Sequence, residues 1–356
     1  AGTNAWIMEK VQRVGDTQDP ELVVDAEMEF GGVRRSVNLT VLPLISGERN
    51  KLGTLIMIED ISTEKRMKAT MSRYMDPGLA DRLLASGGED ILGGKNTVAT
   101  VLFSDIRGFT TLTEELGPQG TVALLNEYFT IMVECIQNHG GMLDKFIGDA
   151  IMAAFGIPIV AADDEDRAVR AAIAMISELR EWNERRAAEG KKPVDMGIGL
   201  NTDAVVSGNI GSPKRMDYTI IGDGVNLASR LESACKQYVA RILISENTYR
   251  KLRGTYRIRD IDEVIVKGKT EPVRIYEVLD YHTDDSFPNL METVSQFREG
   301  RKHYRAGNWK NAIKSFNEAL ALNPGDRLSR IYVERCEHLH AAPPDDWRGV
   351  WVMTSK

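Results

Sequence analysis

Residues 142–147 and 150–155 are two apolar runs separated only by Gly148 and Asp149, and this spacing strongly limits what the segment can form. Apolar runs of this length joined by two residues are typical of a β-hairpin. Glycine in the first turn position reaches positive φ without a steric penalty, as a two-residue turn of the Gly-X kind requires. We therefore predict an antiparallel hairpin that carries the Asp149 carboxylate at its tip.

The hairpin lies within a longer succession of strand and helix patterns. Apolar runs predict the strands, and apolar residues three to four apart predict the helices. The predicted strands lie near residues 98–104, 142–147, 150–156, 195–201, 217–221, 241–245 and 256–266, and the helices near residues 119–138, 164–188 and 222–236. This βαββαβ-like order indicates an α+β fold with a mostly antiparallel sheet.

The segments before this series are of a different kind. Residues 21–60 alternate as three antiparallel strands, which are few for an independent domain, so we expect the later part of a larger one. Residues 62–85 predict a connecting helix re-aimed at Pro77, or else a solvated linker. The predicted units are residues 1–61, a β segment; 62–96, the helix and linker; 97–281, the central domain; 290–340, C-terminal helices; and 341–356, a tail.

The C-terminal helices contain a specific spacing of small and aromatic residues. It is typical of a tetratricopeptide helix pair, in which small residues let two helices approach closely. The residues are Gly300, Gly307, Trp309, Ala312, Phe316, Ala319 and Pro324. Because one repeat is not stable alone, we expect it to pack against a helix over residues 327–340 or to form a surface for a protein partner.

Composition excludes several classes of protein. The net charge is −7 and the charges of both signs are interspersed, so we expect no nucleic-acid partner. The longest apolar stretch, residues 150–162, is interrupted by glycine and proline and is too short for a membrane span, so we expect a cytoplasmic protein. Cys135, Cys235 and Cys336 lie far apart, which predicts buried thiols and neither a disulfide nor a zinc site.

The predicted central strand ends at Asp105, where "LFSDIRGFT" turns into a helix. The backbone amides from Ile106 to Thr110, that of Phe109 included, would lie at this helix N-terminus, a position that favours phosphate. A phosphate beside a carboxylate is repelled unless a divalent cation lies between them, and Mg²⁺ prefers oxygen ligands. Asp149 can supply the second carboxylate, although either aspartate alone would be more typical of an ordinary turn residue.

Three segments together resemble a known family. "VLFSDIRGFT", "DKFIGDAIMAAF" and "YTIIGDGVNLASRLE" look like the signature segments of class III nucleotidyl cyclases, in the same order. The resemblance covers residues 97–281 and implies a ferredoxin-like α+β catalytic domain. It also implies a homodimer with active sites at the interface, in which the carboxylates of Asp105 and Asp149 and the carbonyl of Ile106 hold two Mg²⁺ or Mn²⁺ ions.

The resemblance also assigns roles in substrate binding. Asn226 would orient the ribose of ATP and Arg230 would stabilise charge on the phosphoryl group, both from the partner chain; they lie four apart on one helix face. A salt bridge of Arg230 with Glu232 is the simpler alternative. Lys267, or alternatively Lys269, would contact the triphosphate.

Nucleotide choice rests on two further positions. Lys145 matches the family position at which a lysine is found in enzymes that bind adenine. If guanine were bound instead, the lysine ammonium and the ring N–H of guanine, both hydrogen-bond donors, would face each other. Thr219, where many adenylyl cyclases have aspartate, can accept from the adenine amino group. The threonine form resembles a bacterial and cyanobacterial subgroup, in which bicarbonate stimulation has been linked to the substitution, and so implies bicarbonate as an effector.

We therefore expect an adenylyl cyclase, which forms cyclic AMP from ATP. The stretch "EDIST" at residues 59–63 resembles the end of a PAS sensor domain, which implies upstream regulation, although an uninvolved β-meander would give the same pattern. Two alternatives remain: a guanylyl cyclase, disfavoured by Lys145, and a catalytically silent cyclase-like domain that only binds a nucleotide or a protein.

Overall fold

The computed structural model describes residues 4–47, 51–63, 65, 94–212, 215–264, 272–344, 346, 347 and 349. The chain divides into two compact units, Ala1–Asp90 and Ile91–Lys356. Most of the predicted connecting helix lies outside the described residues, as do Lys267 and Lys269. Among the helices that the structure describes, none has an apolar stretch long enough to cross a lipid bilayer.

The first unit contains a helix and an antiparallel meander. Its elements are α1 (Ala5–Thr17), β1 (Glu21–Phe30), β2 (Val33–Ile45) and β3 (Lys51–Asp60), with strand order β1-β2-β3. Gly31 and Gly32 both have positive φ, as a tight two-residue turn requires. Val37, Leu39 and Val41 alternate along β2 and are fully buried in the cluster that also contains α1 residues. The meander was predicted from the sequence; α1 was not.

The second unit has eight described strands and seven described helices. They are β4 (Lys95–Ile106), α2 (Phe109–Asn138), β5 (Met142–Ile147), β6 (Ala150–Phe155), α3 (Asp164–Ala188), β7 (Met196–Ser212), β8 (Arg215–Ile221), α4 (Asp223–Tyr238), β9 (Ile242–Ser245), α5 (Glu246–Lys251), β10 (Ile258–Val264), β11 (Val273–Val278), α6 (Leu290–Arg305), α7 (Trp309–Leu322) and α8 (Arg327–Ala341). The strands form one sheet in the order β10-β11-β9-β7-β4-β6-β5, with β8 paired to β7.

The sheet is mostly antiparallel, as predicted. Among the described strand pairs, only β7 and β9 run parallel. Helices α2 and α3 contribute Tyr128, Met132 and Trp182 to the main buried cluster, with Leu102 and Ile198 from the central strands. A second cluster joins α4 to other side chains of the same strands. The central strands are therefore buried between helices, and their ends are held in fixed positions.

Helices α6–α8 are part of the same compact unit. A third cluster contains Tyr238 from α4 and Ile261 from β10 together with Phe316 and Tyr332 from the C-terminal helices. A Cβ added to Gly300 would lie 2.5 Å from the Phe316 ring, so α6 and α7 are in close contact there, as the spacing of small residues predicted. The C-terminal helices thus share a core with the sheet of the second unit.

A buried ionic cluster supports this packing. Arg259 in β10 is 3% exposed and lies between Glu277 in β11 and Asp326, which immediately precedes α8. Its guanidinium is 2.6 Å from a Glu277 oxygen and 2.9 Å from both oxygens of Asp326. Removing one partner of such a buried group leaves an uncompensated charge, which is strongly destabilising.

Some boundaries differ from those predicted. Helix α2 begins at Phe109, where the loop after β4 predicted a helix start, and non-helical backbone at Gly117 (φ 65°, ψ 176°) interrupts it just before the helix predicted near 119. Strand β7 continues to Ser212, because its outer half pairs with β8. Helix α5 was not predicted. The three cysteines are free and buried, as predicted.

Candidate active site

The loop after β4 places a carboxylate beside a helix N-terminus. Asp105 and Ile106 are the last residues of β4, and Gly108 (φ 67°) precedes α2 without a side-chain hydrogen bond that caps the helix. The first amides of a helix have no partner within it, so those of Phe109 and Thr110 lie at an end that suits an anion. Phe109 is partly buried and Thr110 is exposed.

Asp149 lies in the predicted two-residue turn. Ile147 pairs with Ala150, and Gly148 has φ 67°, so the Gly-first turn forms as the sequence predicted. Strand β6 also pairs with β4, with Ile151 opposite Ser104. This register brings the turn alongside the end of β4, where Asp105 lies.

Asp105 and Asp149, hereafter the carboxylate pair, are in hydrogen-bonding contact. Burial, this hydrogen bond and the charge of Asp149 raise the pKa of Asp105 to about 6. Two carboxylates held together repel each other unless a proton or a cation lies between them. The pair can therefore bind a divalent cation.

A third acid on α4 adds to the negative field. Burial, followed by the charge of Asp105, raises the pKa of Glu232 to about 7. In the part of the chain that the structure describes, no group of three or more His, Cys, Asp or Glu side chains is arranged to hold a metal ion. Glu232 thus belongs to the electrostatic surroundings of the carboxylate pair.

Lys145 and Thr219 are brought together by a residue that the sequence did not single out. The hydroxyl of Thr219 donates to Oδ2 of Asp144 at 2.7 Å, and Nζ of Lys145 lies 3.3 Å from Oδ1 of the same carboxylate. Thr219 is 8% exposed, whereas the Lys145 side chain is 40% exposed. One buried carboxylate therefore connects the two positions predicted to recognise the base.

Helix α4 holds Asn226 and Arg230 on one face, close to the sheet. Asn201 fixes the start of the helix by donating to the carbonyl of Gly224 at 2.9 Å. Asn226 is exposed, and Arg230 is partly buried. Nη1 of Arg230 is buried and has no hydrogen-bond partner among the described residues, nor does any described ion pair join Arg230 to Glu232. Nη1 of Arg230 can therefore donate a hydrogen bond to an acceptor atom of a ligand.

Arg107 connects the loop after β4 to the end of α4. Its guanidinium donates to the carbonyls of Ala240 and Cys235 and to Asp195. A cation at the C-terminal end of a helix is favourable, because the last carbonyls are unpaired. Arg107 stood in the quoted motif, but nothing in the pattern distinguished it from a solvent-exposed arginine.

The single chain contains the predicted residues in separate groups. Within the described residues, no hydrogen bond or ion pair joins Asn226 or Arg230 to the carboxylate pair. Asp144 and Glu232 were not singled out as site residues. In that part of β5 only Lys145 was considered, and Glu232 was considered only as a salt-bridge partner of Arg230.

Comparison with known proteins identifies the class. The family model of the adenylate and guanylate cyclase catalytic domain matches residues 94–279, and that of the tetratricopeptide repeat matches residues 295–326. The terminal-differentiation-specific adenylate cyclase of Dictyostelium discoideum is 34% identical over 277 residues, which cover 76% of this chain and 13% of that protein. The adenylate cyclase of Anabaena cylindrica is 42% identical over 188 residues, 50% of this chain and 36% of that protein.

Two solved structures are similar in fold. The adenylyl cyclase CyaB from P. aeruginosa is 42% identical with a TM-score of 0.50, over 54% of this chain and 99% of that chain. A bacterial light-regulated adenylyl cyclase is 29% identical with a TM-score of 0.55, over 63% and 64% of the two chains. The mixed α+β unit is therefore a nucleotidyl cyclase fold.

The family match covers slightly more than half of the chain and contains every described site residue named above. The chain belongs to the adenylate and guanylate cyclase family, and it carries a tetratricopeptide repeat. It spans only 13% and 36% of the lengths of the two curated relatives.

Proposed function

We propose that this chain is an adenylyl cyclase that converts ATP into 3′,5′-cyclic AMP and pyrophosphate. The observation that carries the proposal is the carboxylate pair, Asp105 and Asp149, in contact beside the N-terminus of α2. The relatives named above as adenylate cyclases support the same activity. Because the family includes both adenylate and guanylate cyclases, membership alone does not choose the base.

The carboxylate pair fits divalent cations. Hard oxygen donors of like charge are what Mg²⁺ and Mn²⁺ bind, and a cation relieves the repulsion that raises the pKa of Asp105. We assign two ions to Asp105 and Asp149, with the Ile106 carbonyl as a further ligand. When bound there, such ions supply the positive charge that favours attack at the α-phosphate and departure of pyrophosphate.

The chain's own residues position the nucleotide and stabilise charge. The bond from the ribose 3′-oxygen to the α-phosphorus forms, the bond to the β-phosphate oxygen breaks, and the hydroxyl proton is lost to solvent. Asn226 orients the ribose, and the unpaired Nη1 of Arg230 donates to the α-phosphoryl oxygen. Amides of Phe109 and Thr110 bind the triphosphate, and Lys267, outside the described residues, is assigned the same role.

Lys145 and Thr219 support ATP as the substrate. The ammonium of Lys145 is a donor that matches the N1 acceptor of adenine, and the corresponding ring position of guanine is itself a donor. Thr219 accepts from the adenine amino group. A site that hydrogen-bonds its substrate rejects an analogue with the opposite polarity, because buried groups are then left unpaired.

A second copy of the chain completes the site in this proposal. Among the described residues of the single chain, no hydrogen bond or ion pair joins Asn226 or Arg230 to the carboxylate pair. Apolar side chains next to the purine-recognition residues are exposed: Phe146 by 44%, Ile147 by 51% and Ile221 by 54%. Their burial against a second copy would favour a symmetric homodimer with two sites.

The first test measures cyclic nucleotide formation by the purified chain with Mn²⁺ and either ATP or GTP. We expect cyclic AMP from ATP and little cyclic GMP. A preference for GTP would indicate a guanylyl cyclase, and binding of ATP without product would indicate a silent domain. Asp149→Ala should abolish turnover and leave the circular dichroism spectrum unchanged, because a turn-tip carboxylate contributes little to the core.

The second test addresses the shared site. Asp105→Ala and Arg230→Ala should each be inactive alone, and mixing them should restore part of the activity, because one site of the mixed dimer keeps both intact halves. No recovery in a mixture that is shown to exchange subunits would contradict the homodimer.

Regulation is also proposed. The apolar residues 55–58 of β3 are each at least 39% exposed. Because successive side chains of a strand point to opposite faces, apolar surface is exposed on both faces of β3. This exposure supports the interpretation of the meander as a PAS-like segment of a larger domain. We assign this segment a sensor role and the C-terminal helices a protein partner. Thr219 motivates bicarbonate as an effector; stimulation of cyclic AMP formation by bicarbonate at constant pH tests it.

A further inference from the structure

Asp144 occupies an irregular position in β5. Leu143 pairs with Ala153 and Lys145 pairs with Met152, so one extra residue, Asp144, is inserted into the strand as a bulge. A bulge interrupts the alternation of side chains and can redirect one of them. The Asp144 side chain is fully buried, at 0% exposed, whereas that of its neighbour Lys145 is 40% exposed.

Three donors surround this buried carboxylate. Oδ2 accepts from the hydroxyl of Thr219 at 2.7 Å and from the backbone N–H of Ile220 at 3.3 Å. Oδ1 lies 3.3 Å from Nζ of Lys145, which makes an ion pair, and accepts no hydrogen bond within the described residues. A buried carboxylate is costly unless it is paired, so its contacts with both purine-recognition residues stabilise their positions.

The contact with Thr219 also fixes the polarity of its hydroxyl. A hydroxyl has one proton, and an ionised carboxylate can only accept. The proton of Thr219 is therefore used by Asp144, and only the lone pairs of Oγ1 remain for a ligand. Adenine presents an amino group, which donates, whereas guanine presents a carbonyl oxygen, which would face another acceptor.

We propose that Asp144 is a positioning residue that determines base specificity, because it makes Thr219 an acceptor only and holds Lys145 beside it. The inference rests on the proposed function, in which Lys145 and Thr219 contact the purine. In this proposal the buried Asp144, and not only the residues that contact the base, discriminates between an amino group and a carbonyl at the purine 6-position.

The isosteric variant Asp144→Asn tests the proposal. With its nitrogen towards Thr219, the amide donates to Oγ1 and frees the hydroxyl proton to donate to a guanine carbonyl. With its nitrogen towards Lys145, the amide faces the ammonium and no longer holds Lys145 in place. The ratio of kcat/KM for ATP to that for GTP should fall by about 10- to 100-fold, the effect of one or two reversed hydrogen bonds. Thr219→Ser retains the hydroxyl and should retain the ratio, and Asp284→Asn, at an exposed loop position, is the matched control.

A double-mutant cycle distinguishes positioning from general damage. If Asp144 acts through Thr219, Asp144→Asn should lower the ratio far less in a Thr219→Val background than in the wild type. Equal losses of ATP and GTP turnover in Asp144→Asn, with the ratio within twofold of the wild type, would overturn the proposal. If Asp144→Asn does not fold, Asp144→Ser, which also removes the charge, should give the same fall in the ratio.

Failure of the proposed function would be seen separately. If the wild type forms no cyclic nucleotide from either substrate, displacement of a fluorescent nucleotide by the α,β-methylene analogues of ATP and GTP gives the affinity ratio instead. A preference for the ATP analogue that Asp144→Asn reduces by about tenfold would support the inference in a silent domain. An affinity ratio that the substitution leaves unchanged would refute it.

Discussion

The contact of α4 with β7 at Gly199 leads to a prediction that joins packing to catalysis. A Cβ at this position would lie 2.2 Å from the backbone nitrogen of Glu232 and 2.4 Å from the carbonyl oxygen of Ala228. Both are backbone atoms, so no side-chain rotation relieves the overlap. Gly199→Ala therefore requires α4 to move by about 1 Å before an ordinary contact of 3.4 Å is restored.

The expected magnitudes follow from this displacement. Overpacking of a buried contact costs about 1–3 kcal/mol, and the upper end applies because the helix backbone itself must move. At about 3 kcal/mol the melting temperature of the second unit should fall by about 6–12 °C. Asn226 and Arg230 would move with the helix, and a 1 Å misplacement of positioning groups lowers turnover by about 100-fold.

Two matched variants calibrate the measurement. In Gly197→Ala the nearest atoms are Cβ of Cys235 and a carboxylate oxygen of Glu232, both at 3.0 Å, so we expect a smaller loss. Gly47→Ala, with open space at its Cβ, should match the wild type. The assays are thermal unfolding and initial rates of cyclic AMP formation. Wild-type stability of Gly199→Ala would refute the packing argument, and reduced stability with unchanged turnover would refute the role given to α4.

Further predictions concern the buried charges. Asp326→Ala should lower the free energy of unfolding by about 3 kcal/mol, because Arg259 loses a buried partner; exposed Glu337→Ala should change it by less than about 0.5 kcal/mol, both measured by denaturant titration. Burial and neighbouring arginines lower the pKa of His282 from 6.5 to about 4. Because the unfolded chain therefore binds the proton at a higher pH than the folded chain, stability should be lost as the pH falls from 6.5 to about 4. In His282→Gln, melting curves over the same pH range should show a smaller loss. Arg107→Ala should destabilise by about 1–2 kcal/mol and lower turnover, because the loop after β4 is no longer connected to α4.

Local patterns were enough to predict the hairpin and the carboxylate pair. Apolar runs on both sides of Gly148-Asp149 predict a tight turn, and pairing of β6 with β4 brings Asp149 to the end of the strand that holds Asp105. These features depend on neighbouring residues and on one strand pairing. The spacing of small residues around Gly300 likewise predicted a helix pair, because small residues occur where two helices are in close contact.

Long-range packing could not be predicted in the same way. Arg259 stands in "YRIRDID", a pattern typical of a half-exposed strand, yet it is buried because Asp326, 67 residues later, meets it there. The tetratricopeptide helices were expected to pack against the helix over residues 327–340 or to form a partner surface. They do pack against that helix, but their apolar faces also complete a cluster with Tyr238 and Ile261, which was not predicted. Such complementarity between distant segments has no periodicity in the sequence.

The roles proposed for Asp144 and Asp149 assign function within one hairpin by environment rather than by residue type. Both are aspartates of the segment "DKFIGD"; Asp144 lies within strand β5, and Asp149 lies in the turn that follows it. Asp149 meets another carboxylate, so its surroundings favour a cation. Asp144 is placed by the bulge against a hydroxyl, a backbone amide and an ammonium, so these groups offset its charge and it can orient them. The carboxylate that lacks a donor is suited to bind metal, and the one that has donors is suited to select the base.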